Sequence, residues 1–224
     1  MQKNKDVKVI FSAIADYEEV LAWQNQMWQL IEDGSGGQSL WLGQHHSTIT
    51  CGRRTNPSHI FADETALKQS GTKLFDIDRG GDVTWHGPGQ LVGYPILDLN
   101  NFRMDLKWYL KQLERIIVDT LKMYNINSFT VEGKTGVWVL TEGQEKKIAS
   151  IGIHVSRWIT KHGFALNVDP DLSCFKMINP CGLNCEMTSV KELSTDNGPS
   201  FDEVREKLAQ QFSKTFSCEL ALCR

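Results

Sequence analysis

The amino-acid sequence predicts an α+β fold in which mixed sheets are flanked by helices. Three segments repeat apolar residues at helical spacing, and eight short apolar runs typical of strands lie between them. Helices and strands do not alternate as βαβ units, which favours a largely antiparallel or mixed sheet. Because no linker or change of composition divides the 224 residues, we expect a single domain over residues 1–224.

The predicted helices cover residues 16–31, 105–124 and 200–216. Segment 105–124 has the most regular apolar stripe, because its leucines and isoleucines recur every three or four residues. The other two segments begin with the spacing of a capping box, Asp16 with Glu19 and Ser200 with Glu203.

The predicted strands are the runs "SLWLG", "STITCG", "KLFDIDR", "LVGYPILDL", "SFTV", "GVWVL", "KIASIGIHVS" and "FALNV". Two neighbours, "GVWVL" and "KIASIGIHVS", predict a hairpin that turns near Glu142, Gly143 and Gln144.

Composition and motifs exclude several functions. The formal net charge of −3 gives no basic footprint for nucleic acid, and the apolar runs are too short to span a membrane. We find no export signal, so we expect reduced cysteines and a cytoplasmic protein. Cys181 and Cys185 have no second cysteine or histidine pair nearby, so no metal site is predicted. No phosphate-binding glycine motif is present, and no cofactor is predicted.

The segment "RGGDVTWHGPGQLVGYP", residues 79–95, concentrates glycine around one tryptophan and one histidine. Glycines allow positive φ and a close approach of other atoms to the backbone. A tight hairpin between two core strands would use them in this way, and so would the wall of a ligand pocket. Arg79 and His86, at the two ends of the loop "RGGDVTWH", favour the pocket, with Trp85 and Leu91 as candidate lining residues.

Four motifs carry a family resemblance: "RGGDVTWHGPGQLVGYPILDL", "KIASIG", "HGFALNV" and "INPCG". In this order and spacing they resemble the lipoyl(octanoyl) transferases, from about residue 41 to residue 189. The resemblance implies the catalytic fold of biotin and lipoate protein ligases. It also implies a reaction in which an octanoyl group leaves the thioester of an acyl carrier protein and passes to a lysine of a lipoyl domain. Acceptors would be the E2 subunits of 2-oxoacid dehydrogenases and the glycine cleavage H protein. We expect a monomer.

The resemblance further implies which residues act. Cys181 would carry the acyl group as a thioester, and Lys147 would tune that cysteine. The implied substrate-binding residues are Arg79, Gly80, Gly81, Asp82, Val83, Thr84, Trp85 and His86, then Ser150, Ile151 and Gly152, and finally Gly163, Phe164 and Ala165. The family more often has tyrosine or phenylalanine at the position of Trp85, so the wider ring is expected to narrow the pocket.

A cysteine and a lysine suit thioester chemistry. A free thiol titrates near 8.5, and a nearby ammonium such as that of Lys147 favours the reactive thiolate of Cys181. Backbone amides would hold the oxyanion, either in the turn around Cys181 or in the loop at Gly80 and Gly81.

Other polar residues have two interpretations each. His86 and His162 would either orient groups at the pocket mouth or make structural hydrogen bonds. Five basic residues would either form a rim for an acidic carrier protein or be scattered surface charges. They are Arg53, Arg54, Lys146, Arg157 and Lys161.

Three alternative functions follow from the same residues. An ATP-dependent lipoate-protein ligase would share the fold, but it needs a nucleotide site and does not need the cysteine. A non-catalytic binder would keep the acyl pocket without the chemistry. A thiol redox role for Cys181 and Cys185 is disfavoured by their C-x-x-x-C spacing.

Overall fold

The structure is a computed structural model that describes residues 4–180, 185–195 and 198–222. In chain order its elements are β1 (Val7–Ala15), α1 (Tyr17–Glu32), β2 (Gln38–His45), β3 (Thr48–Cys51), α2 (Glu64–Gln69), β4 (Lys73–Asp76), β5 (Val83–His86), β6 (Gln90–Ile96), α3 (Leu106–Lys122), β7 (Ser128–Val131), β8 (Lys134–Thr141), β9 (Gln144–Ser156), β10 (Ile159–Asn167), β11 (Glu186–Met187), α4 (Val190–Leu193), α5 (Phe201–Phe216) and β12 (Leu220–Leu222).

Two sheets organise these strands. The large sheet has the order β12-β1-β2-β6-β10-β9-β8-β7, and β11 adds beside β9. In this sheet β1 runs parallel to β2 and β12. Each later pair of neighbours in that order, from β2–β6 to β8–β7, is antiparallel. The small sheet has the order β4-β3-β5. The predicted α+β class with mixed sheets is therefore confirmed.

Helices bury both faces of the large sheet. Successive side chains of a strand point to opposite faces, and β2 shows the consequence. Leu40 and Leu42 pack in the large core with α3 and α5, while Trp41 packs in a second core with Tyr17 and Val20 of α1. The central strands are thus held between two apolar layers.

The predicted helices are confirmed with boundaries shifted by one or two residues. Ser200 and Glu203 form the expected capping box. The box predicted at Asp16 is wrong, because the Asp16 side chain makes no capping hydrogen bond and instead pairs with Lys73 at 3.0 Å. Six elements were not predicted from the sequence: β1, α2, β5, β11, α4 and β12.

The predicted hairpin between β8 and β9 is confirmed. Glu142 and Gly143 occupy its turn with φ of 53° and 79°, the left-handed values of a tight two-residue turn. A second hairpin joins β9 to β10 through Arg157 and Trp158, at φ of 51° and 63°. Together these hairpins fix β9 between β8 and β10.

No helix among the described residues is both long enough and apolar enough to cross a membrane. Cys51, Cys174 and Cys218 carry free thiols.

Candidate active site

A cavity of about 470 Å³, including its mouth, lies where the two sheets meet. Twelve of the fourteen substrate-binding residues implied by the family resemblance line it. They are Arg79, Gly81, Asp82, Val83, Thr84, His86, Ser150, Ile151, Gly152, Gly163, Phe164 and Ala165. We call this space the inner cavity.

Strand pairing explains why three distant segments form one wall. In the antiparallel pair of β9 and β10, Ile151 lies opposite Phe164 and Gly152 lies opposite Gly163. The loop before β5 joins them because the Gly80 amide donates to the carbonyl of Ile153 at 2.8 Å. The motifs "SIG" and "GFA" are therefore neighbours in space, and the arginine–glycine loop closes over them.

Arg79 is a buried charge that the surrounding backbone holds in place. Its Nη2 donates to the carbonyl of Thr50 at 2.6 Å and its Nη1 to the carbonyl of Gly80 at 3.1 Å. A Cβ at Gly152 would lie 2.9 Å from Arg79 Cδ, so the glycine leaves room for this side chain. Hydrogen bonding to the protein offsets part of the cost of burying the guanidinium.

Trp85 and Gly80 are the two implied residues that do not line the inner cavity. The Trp85 indole packs edge-on against Phe175, with ring centroids 5.2 Å apart, and its Nε1 donates to Ser47 Oγ at 3.0 Å. The expected narrowing of the pocket by Trp85 is therefore wrong. Leu91, the other candidate lining residue, is in the large core.

His86 lies in the cavity wall as a neutral ring. Its Nδ1–H donates to Gln90 Oε1 at 2.8 Å, because the Gln90 amide nitrogen already donates to Asn167 and Trp85. Burial, with a smaller contribution from nearby His45, lowers the pKa of His86 to about 3. The lone pair of its Nε2 is consequently unprotonated at neutral pH.

His162, at φ of 56°, also lines the inner cavity. Its Nε2–H donates to Asp78 Oδ1 at 2.7 Å, and Lys161 Nζ lies 3.0 Å from Asp78 Oδ2. Burial lowers the pKa of His162, while hydrogen bonding with that imidazole is the main cause of the lowered pKa of Asp78. Each of the two histidines thus makes a structural hydrogen bond and also faces the cavity.

Three buried polar atoms of the inner cavity have no hydrogen-bond partner among the described residues. They are Thr84 Oγ1, Ser150 Oγ and His162 Nδ1. In the neutral His162 ring Nδ1 is an acceptor, because Nε2 carries the proton. These atoms add hydrogen-bonding capacity to a cavity whose walls are otherwise largely backbone and apolar side chains.

Lys147 lines a second cavity of about 1210 Å³, including its mouth, which we call the lysine cavity. The side chain is only 1% exposed, and its Nζ lies 5.2 Å from the centroid of the Trp138 ring. A cation over an indole face is stabilised electrostatically, more so when it is desolvated. Gly81, Asp82, Ile151 and Gly152 line both cavities, which therefore share one wall.

Cys181, the implied nucleophile, lies outside the described residues. The chain on either side of it is described. Asn179 donates its amide to the carbonyl of His59 at 2.7 Å, and on the far side Met187 pairs with Lys147 in β9. The amide of Thr188 donates to the Lys147 carbonyl at 3.0 Å.

The sequence analysis did not identify three residues at this site, two tyrosines and one histidine. Tyr17 and Tyr94 line the inner cavity, and His59 donates through Nδ1 to Asp82 Oδ2 at 2.5 Å. Asp82 in turn lines both cavities. Tyr94 lies inside the glycine segment that was singled out, whereas Tyr17 and His59 are brought in by tertiary packing that no local motif records.

Three of the five basic residues predicted to form a rim are engaged in ion pairs with acidic residues, so the five do not form one surface of unpaired positive charge. Lys146 pairs with Glu186 at 3.0 Å, Lys161 pairs with Asp78, and Arg157 pairs with Glu32. Among the five, Arg54 lines the lysine cavity.

Residues 16–213 match the lipoyl protein ligase A/B catalytic domain. An octanoyltransferase of Solibacter usitatus is 44% identical over 92% of this chain and 90% of its own length. One of Synechococcus elongatus is 43% identical over 93% of this chain and 86% of its own.

Solved structures show the same fold at low identity. A bipartite lipoate protein ligase of Thermoplasma acidophilum gives a TM-score of 0.73 at 16% identity, over 99% of this chain and 88% of that one. A biotin protein ligase of Aquifex aeolicus gives 0.51 at 14% identity, over 97% and 70%. The fold implied by the resemblance is thus confirmed, and the chain belongs to the lipoyl protein ligase A/B catalytic domain family and, within it, to the octanoyltransferases, a group of acyltransferases.

Proposed function

We propose that the protein transfers an octanoyl group from an acyl carrier protein to a lysine of a lipoyl domain, through a thioester on Cys181. One observation carries the proposal: the inner cavity and the lysine cavity share a wall. An acyl chain in the inner cavity can therefore direct its carbonyl carbon toward Lys147.

The inner cavity supplies affinity for the acyl chain. Each methylene removed from water contributes roughly 0.8 kcal/mol, so an eight-carbon chain can be anchored without a nucleotide. A thioester is also already activated, so the transfer itself requires no ATP. This agrees with the lack of a phosphate-binding motif in the sequence.

In the first half-reaction the Cys181 thiolate attacks the donor carbonyl. A new sulfur–carbon bond forms to Cys181 and the bond to the carrier sulfur breaks. Lys147 gives a proton to the departing carrier thiolate.

In the second half-reaction the acceptor lysine attacks the Cys181 thioester as a neutral amine. The nitrogen–carbon bond forms, the bond to Cys181 breaks, and neutral Lys147 takes the proton that the acceptor nitrogen releases. Lys147 ends protonated beside a thiolate, which restores the starting state. Acceptors of this chemistry are the lipoyl domains of E2 subunits and the glycine cleavage H protein.

Each tetrahedral intermediate needs donors for its oxyanion. The amide of Gly80 is engaged with Ile153, which leaves the Gly81 amide as the candidate donor in that loop. Gly81 lines both cavities, in keeping with a donor at their junction. The amides around Cys181 are the alternative donors.

Intact-mass measurement tests the proposal. Octanoyl carrier protein mixed with the enzyme, without acceptor or ATP, should add one octanoyl group to the parent and none to Cys181→Ala. Addition of a lipoyl domain should then discharge the adduct. Transfer that occurs only with ATP would instead identify a lipoate-protein ligase, and absence of both adduct and transfer would identify a non-catalytic binder.

A further inference from the structure

A groove leads outward from the lysine cavity, between the first turns of α3 and the β7–β8 turn. Its sides include Lys107, Leu110, Lys111 and Glu132, and we call it the α3 groove. Resting on the function proposed above, we propose that the α3 groove is the docking site of the donor: it takes the thioester arm and an acidic face of the carrier protein.

The α3 groove is continuous with the catalytic cavities. Leu110, Gly133 and Thr135 line both the groove and the lysine cavity. A thioester donor has an acyl chain on one side of its carbonyl and a long, flexible arm beyond its sulfur. When the inner cavity holds the acyl chain, the arm must leave on the other side of Lys147, and the α3 groove provides that course to the surface.

The charges along this course favour an acidic partner. Five basic side chains line the lysine cavity and the groove, namely Arg54, Lys107, Lys111, Lys134 and Lys147. Three acidic ones lie with them, Asp82, Glu114 and Glu132. Asp82 is engaged with His59, and Glu114 accepts from the Gly136 amide at 3.2 Å. Lys134 in turn pairs with Glu145 at 3.5 Å. By formal charge the lining still has five basic side chains against three acidic ones, although the chain has a net charge of −3.

Lys107 and Lys111 are the exposed basic residues of the α3 groove itself. They are exposed one helical turn apart on α3, and neither forms an ion pair with another described residue. Beside them Met104 and Leu106 are 55% and 46% exposed. An acidic, partly apolar helix of a carrier protein matches this combination, and exposed charges of this kind mainly raise the rate of association.

The same surface suits the acceptor less well. An acceptor presents a single lysine side chain, which is itself cationic before it reacts, and positive charge around the groove would repel it. Only the donor has a long arm that must lie between the active site and the protein surface.

Single-turnover acylation of the enzyme tests the assignment. The variant Lys107→Glu/Lys111→Glu should acylate about tenfold more slowly from limiting octanoyl carrier protein at low salt. The loss should shrink at high ionic strength because salt screens exposed charges. From octanoyl-pantetheine, which has an uncharged arm and no acidic protein, the variant should lose much less rate than it loses from the carrier protein.

The control variant Lys122→Glu/Lys214→Glu makes the same change of net charge on exposed residues, with Lys122 about 22 Å along α3 from Lys107. It should acylate like the parent from both donors.

Three outcomes would overturn the docking site: no change with the carrier protein, an equal loss with octanoyl-pantetheine, or a loss confined to transfer onto the lipoyl domain. A parent enzyme that forms no adduct from either donor would instead refute the proposed function, and the docking site with it.

Discussion

Gly136 of β8 lies directly against the Lys147 side chain of β9. A Cβ at Gly136 would be 2.6 Å from Lys147 Cε and 2.5 Å from the Ala149 carbonyl oxygen. Gly136 also has φ of 125°, which side chains rarely allow, and its amide donates to Glu114 Oε1. The position of the lysine stem therefore depends on the absence of a side chain on the neighbouring strand.

Gly136→Ala should slow acylation by displacing Lys147. We expect the single-turnover rate to fall at least about tenfold, because misplacing a catalytic group by about 1 Å costs on the order of a hundredfold. Donor KM should change little, because Gly136 does not line the inner cavity. Single-turnover acylation with octanoyl carrier protein measures both quantities.

Gly143→Ala is the matched control for backbone strain. Gly143 also has positive φ, at 79°, but a Cβ there meets nothing within 4 Å. The Gly143→Ala variant should lose about 1–2 kcal/mol of unfolding free energy and keep the acylation rate of the parent. Equal loss of rate in both variants would show that strain, rather than contact with Lys147, is responsible.

The site illustrates what a sequence can and cannot predict. The motifs identified nearly all the residues of the inner cavity, but a segment of consecutive residues cannot present every side chain to one space. Along β5, Thr84 and His86 line the cavity while Trp85 between them packs against Phe175. The alternation of strand side chains would have predicted this, had β5 been recognised as a strand.

The sequence analysis missed strand β1 and the contact between His59 and Asp82 for different reasons. The run "VKVIFSAIA" of β1 is apolar and β-branched enough to predict a strand, so that omission was avoidable. The contact of His59 with Asp82 was not predictable, because it depends on how a loop 23 residues away folds back. Local pattern specifies elements, whereas such contacts are set by tertiary packing.

Acyl-length preference should respond to Phe164 and not to Trp85. Phe164→Leu enlarges the inner cavity, and each further methylene buried there contributes roughly 0.8 kcal/mol, about fourfold in rate. Decanoyl transfer should therefore rise several-fold relative to octanoyl transfer. Competition between octanoyl and decanoyl carrier proteins gives the ratio directly.

Trp85→Phe should leave that ratio unchanged. The substitution should lower the unfolding free energy by about 1–3 kcal/mol, because it removes the hydrogen bond to Ser47 and loosens the packing against Phe175. A changed acyl-length ratio in Trp85→Phe, at full folding, would contradict the placement of this indole.

Ser150→Ala should be nearly neutral for stability, or slightly stabilising. The Ser150 hydroxyl is buried without a partner among the described residues, so its removal leaves no new unsatisfied group. Thr160→Val provides the contrast, because Thr160 Oγ1 donates to the Pro95 carbonyl at 2.6 Å and accepts from the Leu97 amide at 2.9 Å. Denaturant unfolding should show a loss of about 1–3 kcal/mol for Thr160→Val only; a similar loss for Ser150→Ala would reveal a partner in solution.

Stability should fall as the pH decreases below about 6.5, because buried histidines, His45 and His86 among them, are neutral in the folded protein. Burial lowers the pKa of His45 to about 4 and that of His86 to about 3. His45 donates from Nδ1 to the Ala15 carbonyl and accepts from the Tyr94 hydroxyl at Nε2, so a second proton would break the latter bond. Between pH 6.5 and those values the unfolded chain binds more protons than the folded one.

The unfolding free energy should therefore be level above pH 7 and decline by up to about 1.4 kcal/mol per pH unit for each histidine from pH 6.5 to pH 5. Asp78, whose pKa is lowered, adds its own loss only at more acidic pH. His45→Gln should reduce the decline by up to about 1.4 kcal/mol per pH unit, whereas His46→Gln, at an exposed position, should leave it unchanged. An unchanged slope in His45→Gln would mean that this ring takes up its proton without unfolding, contrary to its buried contact with Tyr94.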